Sequence, residues 1–257
     1  MGTPENAANY TAKKYRTPDG APCDIVIFTI ATVEAQIHKK SLPRRELQVL
    51  LIQRKAWPDE GKWALPGGFS MPTESLYESA RRELQEETSV ESPYLEYFNV
   101  YSTPNRDPRG WIISHAYFAL VQESILANRR AADDAADVKL FSVDEALNTL
   151  HLAFDHHEIL RDARARVQHK MLTTTIAREF LPEEFTIVEL YQVIQTVCPD
   201  FEDPNFKRKV TATKTRQGLI EEARDDQGVK KTTNRNSQRH AQLYRFTDYE
   251  PIVSIYQ

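Results

Sequence analysis

The chain has 257 residues, 40% of them hydrophobic, with a net charge of −4 and two cysteines. That length accommodates one large domain or two ordinary ones. No apolar run reaches the roughly 20 residues a membrane-spanning helix needs. The first residues, Met1-Gly-Thr-Pro-Glu-Asn6, carry no basic-then-apolar targeting pattern. Cys23 and Cys198 are far apart in sequence, so a disulfide framework is not expected and a reducing cytoplasm is.

In chain order, residues 1–20 read as a tail. Asp24 to Ala31 reads as a buried strand and Leu47 to Arg54 as its neighbour, with a basic, Pro-containing loop from Lys39 to Arg45 between them. Trp63 to Phe69 is an apolar run broken by Pro66-Gly67-Gly68, which reads as a strand ending in a loop. Ser75 and Glu78 have capping-box spacing, so a helix is expected to start near Ser75. Tyr94–Thr103 and Trp111–Val121 are strand-like and flank a Pro/Gly loop carrying Arg106 and Arg109. Lys139–Val143 is a short strand, and Val143–Leu150 and Phe154–Val167 read as helices. The alternation over residues 21–168 fits an α/β sandwich.

The helix after Ser75 holds the densest chemistry. On a 100° wheel Leu76, Ala80 and Leu84 form one stripe, Glu83 and Glu87 lie beside it, and Glu86 lies next to Glu83. All three carboxylates are therefore expected at the margin of the buried seam. Like charges that close disfavour each other's ionisation, a conflict that bound Mg²⁺ or Mn²⁺ removes, because hard cations prefer carboxylate oxygen. A Glu-rich helix alone is usually just a solvated surface. Here Gly68 to Val90 matches G-x5-E-x7-R-E-U-x-E-E-x-G-U, with U apolar, at every position but one.

That segment resembles the Nudix box. The resemblance implies that Glu83, Glu86 and Glu87 ligate metal and, with Arg82, form the catalytic set. It also implies that Arg82 and Glu74 brace loop and helix, and that Gly68 lets the loop approach closely. The departure is Ser89, where the family has Gly. It puts the level of activity in question more than the fold, because Ser adopts positive φ at modest cost.

Residues 169–257 read as a second unit. Leu172–Phe180 looks helical and stops at Pro182. Thr186 caps an amphipathic stretch from Ile187. Asp203-Pro204 is a start signal for a helix carrying Lys207, Arg208, Lys209, Lys214 and Arg216 and stopped by Gly218. Leu219–Glu222 and Leu243–Phe246 can pair as a hairpin around a polar, basic tip containing Lys230, Lys231 and Arg235. Residues 204–245 hold eleven Lys/Arg against four acids, a local charge of +7 that leaves −11 for the rest of the chain. Helix, turn, basic helix and basic hairpin outline a winged helix, whose basic helix lies in a DNA groove.

The two halves together resemble the Nudix-related transcriptional regulators of NrtR type, which include repressors of NAD metabolism. Besides the box, Asn105-Arg-Asp-Pro-Arg-Gly110, Leu152-Ala-Phe-Asp-His-His-Glu158 and Phe206-Lys-Arg-Lys209 carry the likeness. It implies a dimer that senses ADP-ribose or a related nucleotide and binds double-stranded operator DNA. The expected ligand-binding residues are Arg54, Gly67, Gly68, Phe69, Arg106 and Arg109. The two loop arginines suit bidentate capture of a diphosphate, and a structural salt bridge is the competing role. Phe69, Trp63 and Tyr101 are candidates to stack on adenine, although lone aromatics more often belong to a core. Adjacent His156 and His157 share no helix face and read as structural. The alternative reading is a Mg²⁺-dependent hydrolase of ADP-ribose or another nucleoside diphosphate derivative, or a bifunctional protein.

Overall fold

The computed structural model describes residues 17–34, 42–88, 94–126, 135–212, 218–235 and 239–249. The side chains of Glu87 and Thr88, the residues Ser89, Lys214 and Arg216, and most of the expected N-terminal tail fall outside that description.

Strand β1 (Pro22–Glu34) is the centre of the first unit. It pairs antiparallel with β2 (Arg44–Arg54) and parallel with β6 (Ser114–Leu120). Further out, β6 pairs β5 (Tyr94–Tyr101) and β2 pairs β7 (Ala135–Ser142), both antiparallel. The result is a mixed seven-stranded sheet. A strand in the middle of a sheet covered on both faces must be apolar on both. Accordingly Cys23, Ile25 and Ile27 meet helix α1 (Leu76–Thr88) on one face. Val26, Phe28 and Ile30 meet α4 (His156–Thr173) and its surroundings on the other. The short α2 (Glu123–Leu126) and α3 (Val143–Asn148) complete the layers.

The Trp63–Phe69 run is two strands. β3 (Trp63–Ala64) pairs β2, and β4 (Gly67–Phe69) pairs β1. The expected loop at Gly67-Gly68 is therefore sheet. Gly67 has φ +151, and a Cβ there would lie 2.1 Å from the Cys23 carbonyl oxygen, so only glycine permits the pairing.

In the second unit β11 (Ala241–Phe246) pairs β8 (Phe185–Thr186), β9 (Ile220–Glu222) and β10 (Thr232–Thr233). The expected hairpin between Leu219–Glu222 and Leu243–Phe246 is present. Helix α5 (Ile187–Val197) starts with a full capping box between Thr186 and Glu189. Its buried Leu190, Val193, Ile194 and Val197 merge into the same hydrophobic cluster as Val49, Phe118 and Ile159, so one core runs through both units.

Two helical expectations change. Leu172–Phe180 divides into the end of α4 and a 3-10 turn at Ile176–Phe180, and α4 runs unbroken across position 169. The basic helix is short: α6 spans Phe206–Val210 with Asn205, not Asp203, at its N-cap. Thr211 is already extended and bridges Ile220, and Ala212 donates to the Ile220 carbonyl at 2.8 Å. This strand-like tie ends the helix, not Gly218. Gly218 instead allows close approach, since a Cβ there would lie 2.2 Å from the Ala212 nitrogen.

Candidate functional site

Helix α1 presents its carboxylates around one arginine. Ser75 caps the helix, its hydroxyl accepting from the Glu78 N–H at 3.2 Å while the Glu78 carboxylate accepts from the Ser75 N–H at 2.8 Å. Arg82 donates to both Glu74 oxygens, at 3.0 and 2.6 Å, and to the Phe69 carbonyl at 3.3 Å. It thereby ties the loop after β4 to the helix. The Arg82 guanidinium, with the Met71 N–H, holds the Glu74 carboxyl down to about 2.

Arg82 Nη1 also reaches Glu83 at 2.6 Å and Glu86 at 3.0 Å. Glu83 is buried, but the Glu86 side chain is 57% exposed. The expectation that all three carboxylates avoid solvent therefore fails for Glu86, which lies one step round the helix on its outer side. Among the described residues no group of three His, Cys, Asp or Glu side chains is arranged to hold a metal ion. The fit to a hard divalent cation rests on a narrower observation. Glu83 and Glu86 converge on one point, now held by a guanidinium nitrogen, and offer only oxygen.

A cleft opens beside this helix, lined by Arg54, Gly67, Gly68, Phe69, Arg106 and Arg109 together with Phe154 and Lys55. All six residues expected to bind ligand thus meet at one place. Their roles there differ. Arg54 donates to the Pro58 carbonyl at 2.7 Å and stacks its guanidinium 4.8 Å over the Phe154 ring. Arg109 covers the other rings, 5.4 Å from Phe154 and 4.9 Å from Phe69, while Asp107 pairs with it at 2.6 Å. Arg106 is buried and bound bidentately by Asp155, at 2.7 and 2.5 Å. That is the salt-bridge role; Asp107 binds Arg109 through Nε and Nη2 in the same manner, but the Arg109 side chain is 33% exposed against 4% for Arg106, so Arg109 and Arg54 keep a face toward the opening. Trp63 packs against Phe141 and Tyr101 donates to Asp162, both away from the cleft.

Beneath the cleft lies a buried polar network that the sequence reading missed. Asp24 accepts from Ser114 at 2.5 Å and from Arg106 at 3.4 Å, and His156 Nε2 lies 3.5 Å from it. The His156 Nδ1 accepts from the Leu65 N–H at 2.9 Å, which leaves the ring proton on the nitrogen facing Asp24. Burial pushes the Asp24 carboxyl up, but His156, Arg106 and Ser114 outweigh it and hold the group at about 2. An aspartate opening an otherwise apolar strand was the available signal. Phe154 and Asp155 were visible only inside a longer motif. His157, by contrast, caps the Leu147 carbonyl at the surface.

In the second unit Lys207 and Arg208 are exposed on α6. Four of the described cations expected to meet DNA are paired with carboxylates: Lys209 with Asp203 at 3.0 Å, Lys230 with Glu222 at 2.5 Å, Lys231 with Glu184 at 2.6 Å and Arg235 with Glu189 at 2.5 Å. The local excess of +7 therefore overstates the charge presented to solvent. The acids that offset it from outside the segment are Glu184, Glu189 and Asp203.

Comparison with known proteins adds independent findings. Residues 42–163 match the NUDIX domain family, and residues 177–246 match the NrtR DNA-binding winged helix domain. The chain is 34% identical over 226 residues to the ADPR responsive transcriptional repressor NtrR of Acinetobacter baylyi, covering 86% of this chain and 84% of that one. The crystal structure of Shewanella oneidensis NrtR superposes with a TM-score of 0.68 at 30% identity, over 91% of this chain and 99% of that one. The same protein complexed with a 27mer DNA gives 0.67 at 29% identity, over 91% and 98%. Its NUDIX domain complexed with ADP ribose gives 0.52 at 33% identity, over 65% of this chain and 99% of that one.

Proposed function

The chain belongs to the NrtR family of Nudix-domain transcriptional regulators, and on that premise we propose that it is a DNA-binding repressor responding to ADP-ribose or a close relative. The observation that carries the reading is the single core joining the cleft to the winged helix. Helix α4 begins at Asp155 and His156 on the cleft floor, and its Gln168 donates to the Val197 carbonyl of α5 at 3.0 Å. Strand β2 ends at Arg54 in the cleft, while Gln192 of α5 donates to the Pro43 carbonyl at its start, at 2.7 Å. A nucleotide that repositions Arg54 or the Asp155–Arg106 pair thus acts on elements that also support α5.

In this reading the diphosphate lies against Arg109 and the β4 backbone, with the Phe69 and Phe154 rings beside it. Glu83, Glu86 and Glu87 would hold Mg²⁺ or Mn²⁺, which when bound neutralises diphosphate charge and lowers the pKa of coordinated water. Arg82, bound to Glu74 and the Phe69 carbonyl, keeps the loop after β4 against the helix that carries these carboxylates. The protein works in the cytoplasm, where its DNA is, as a homodimer that matches a two-fold operator.

Hydrolysis of the nucleotide is the second reading, favoured by the convergence of Glu83 and Glu86. One experiment tests both: incubate the protein with ADP-ribose and Mg²⁺, then follow AMP release and affinity for its own promoter DNA. Release of DNA without turnover supports the sensor. Turnover by a protein that binds no DNA replaces it with the enzyme.

A further inference from the structure

The wing, the segment between β9 and β11, is fastened at its tip to the start of α5. Arg235 Nε donates to Glu189 Oε1 at 2.7 Å and Nη2 to Glu189 Oε2 at 2.5 Å. The same Nη2 reaches the Glu184 carbonyl at 3.2 Å. Lys231, just before β10, pairs with the Glu184 carboxylate. Glu189 is no loose surface acid. It is 5% exposed, and its Oε2 also accepts the Thr186 N–H at 2.7 Å and hydroxyl at 3.0 Å. The Glu189 carboxyl is pushed up by burial but held below its usual range by Arg235 and Thr186.

A bidentate guanidinium–carboxylate pair fixes both distance and direction. It also cancels the charge that a phosphate-contacting arginine would offer. Arg235 therefore has the geometry of a strut, although its place in a basic, polar hairpin tip suggests a DNA contact. Glu189 both completes the capping box of α5 and anchors the wing, so the two elements that flank α6 share one side chain.

We propose that Arg235 positions the wing for DNA binding through Glu189 and does not itself neutralise a phosphate. The inference rests on the reading of the second unit as a DNA-binding winged helix. Holding the wing in advance spares the ordering cost of binding, which is where preorganised contacts gain affinity.

The test uses the full chain and a duplex that the wild-type protein recovers from a random-sequence pool, with affinity measured over a range of salt. Glu189→Gln retains a side chain able to complete the capping box, because Gln serves at that position. Both Arg235→Gln and Glu189→Gln are expected to weaken binding about tenfold, the scale of one net hydrogen bond to a charged group. The slope of log affinity against log salt stays at the wild-type value, and Arg235→Lys restores part of the loss. Amide exchange across residues 224–235 of the free protein speeds up in both Gln variants.

A phosphate-contacting Arg235 gives the opposite pattern. Arg235→Gln then lowers the slope by about 0.9, and Glu189→Gln, which frees the guanidinium, leaves binding unchanged or tighter. Either result overturns the proposal. A wild-type protein that recovers no duplex overturns the DNA-binding reading and this inference with it. Variants that match a DNA-binding wild type overturn this inference alone.

Discussion

Glu83 lies directly against Gly68: a Cβ on Gly68 would sit 2.5 Å from both Glu83 carboxylate oxygens. An added methyl has to displace that carboxylate, the buried end of a side chain that Arg82 holds in place. Gly68→Ala is expected to push Glu83 out of line with Glu86 and to lower stability by roughly 1–3 kcal/mol, as overpacking does. Thermal unfolding and calorimetric titration with Mg²⁺ and ADP-ribose check both parts. An alanine variant with wild-type stability and nucleotide affinity would show that this contact does not matter.

Asp24 predicts a pH dependence of stability. Its folded-state pKa, about 2, lies below the ordinary 3.8. A carboxyl depressed on folding stabilises the protein above its unfolded pKa and loses that contribution as pH falls through the folded value. Wild-type protein is thus expected to lose about 2 kcal/mol from this group between pH 4 and pH 2. Asp24→Asn is less stable at pH 7, and its stability falls less steeply over that window. Denaturant unfolding at several pH values measures it, and parallel profiles for the two proteins would contradict the assignment.

What the sequence made legible was local. The Ser75–Glu78 capping box, the Thr186 cap, the buried β1 and the β9–β11 hairpin follow from patterns within a few residues, from periodicity or from turn-forming composition. The missed features depend on partners far along the chain. Asp24 meets His156 and Arg106 only once β1, β6 and α4 are assembled. The cations of the wing find Glu184 and Glu189 some 46 or 47 residues away. Helix α6 contains good helix formers, yet the bridge from Thr211 to Ile220 stops it at Val210. Propensity says nothing of such tertiary ties.

The cleft wall alternates cations and rings, Arg54 over Phe154 and Arg109 over both Phe154 and Phe69. Phe154 is held there at φ +51, its N–H bonded to Asp59 at 2.9 Å. Each such stack contributes roughly 0.5–1 kcal/mol of orientation at an exposed site. Phe154→Leu removes two of them and is expected to weaken ADP-ribose binding about tenfold while leaving the fold intact. Titration calorimetry reads the change, and an unchanged affinity would remove Phe154 from the site.

Lys207 and Arg208 are the exposed cations of α6, and the Lys207 ammonium rests 5.9 Å from the Tyr244 ring. A cation that replaces condensed counterions on a phosphate contributes about 0.9 to the slope of log affinity against log salt. Lys207→Gln is therefore expected to lower that slope by about one. Replacing Lys207 and Arg208 together by Glu adds repulsion and is expected to abolish measurable binding at physiological salt. Fluorescence anisotropy on the protein's own promoter duplex, from about 50 to 200 mM salt, gives both numbers. If the double variant binds as wild type does, α6 is not the helix that meets DNA.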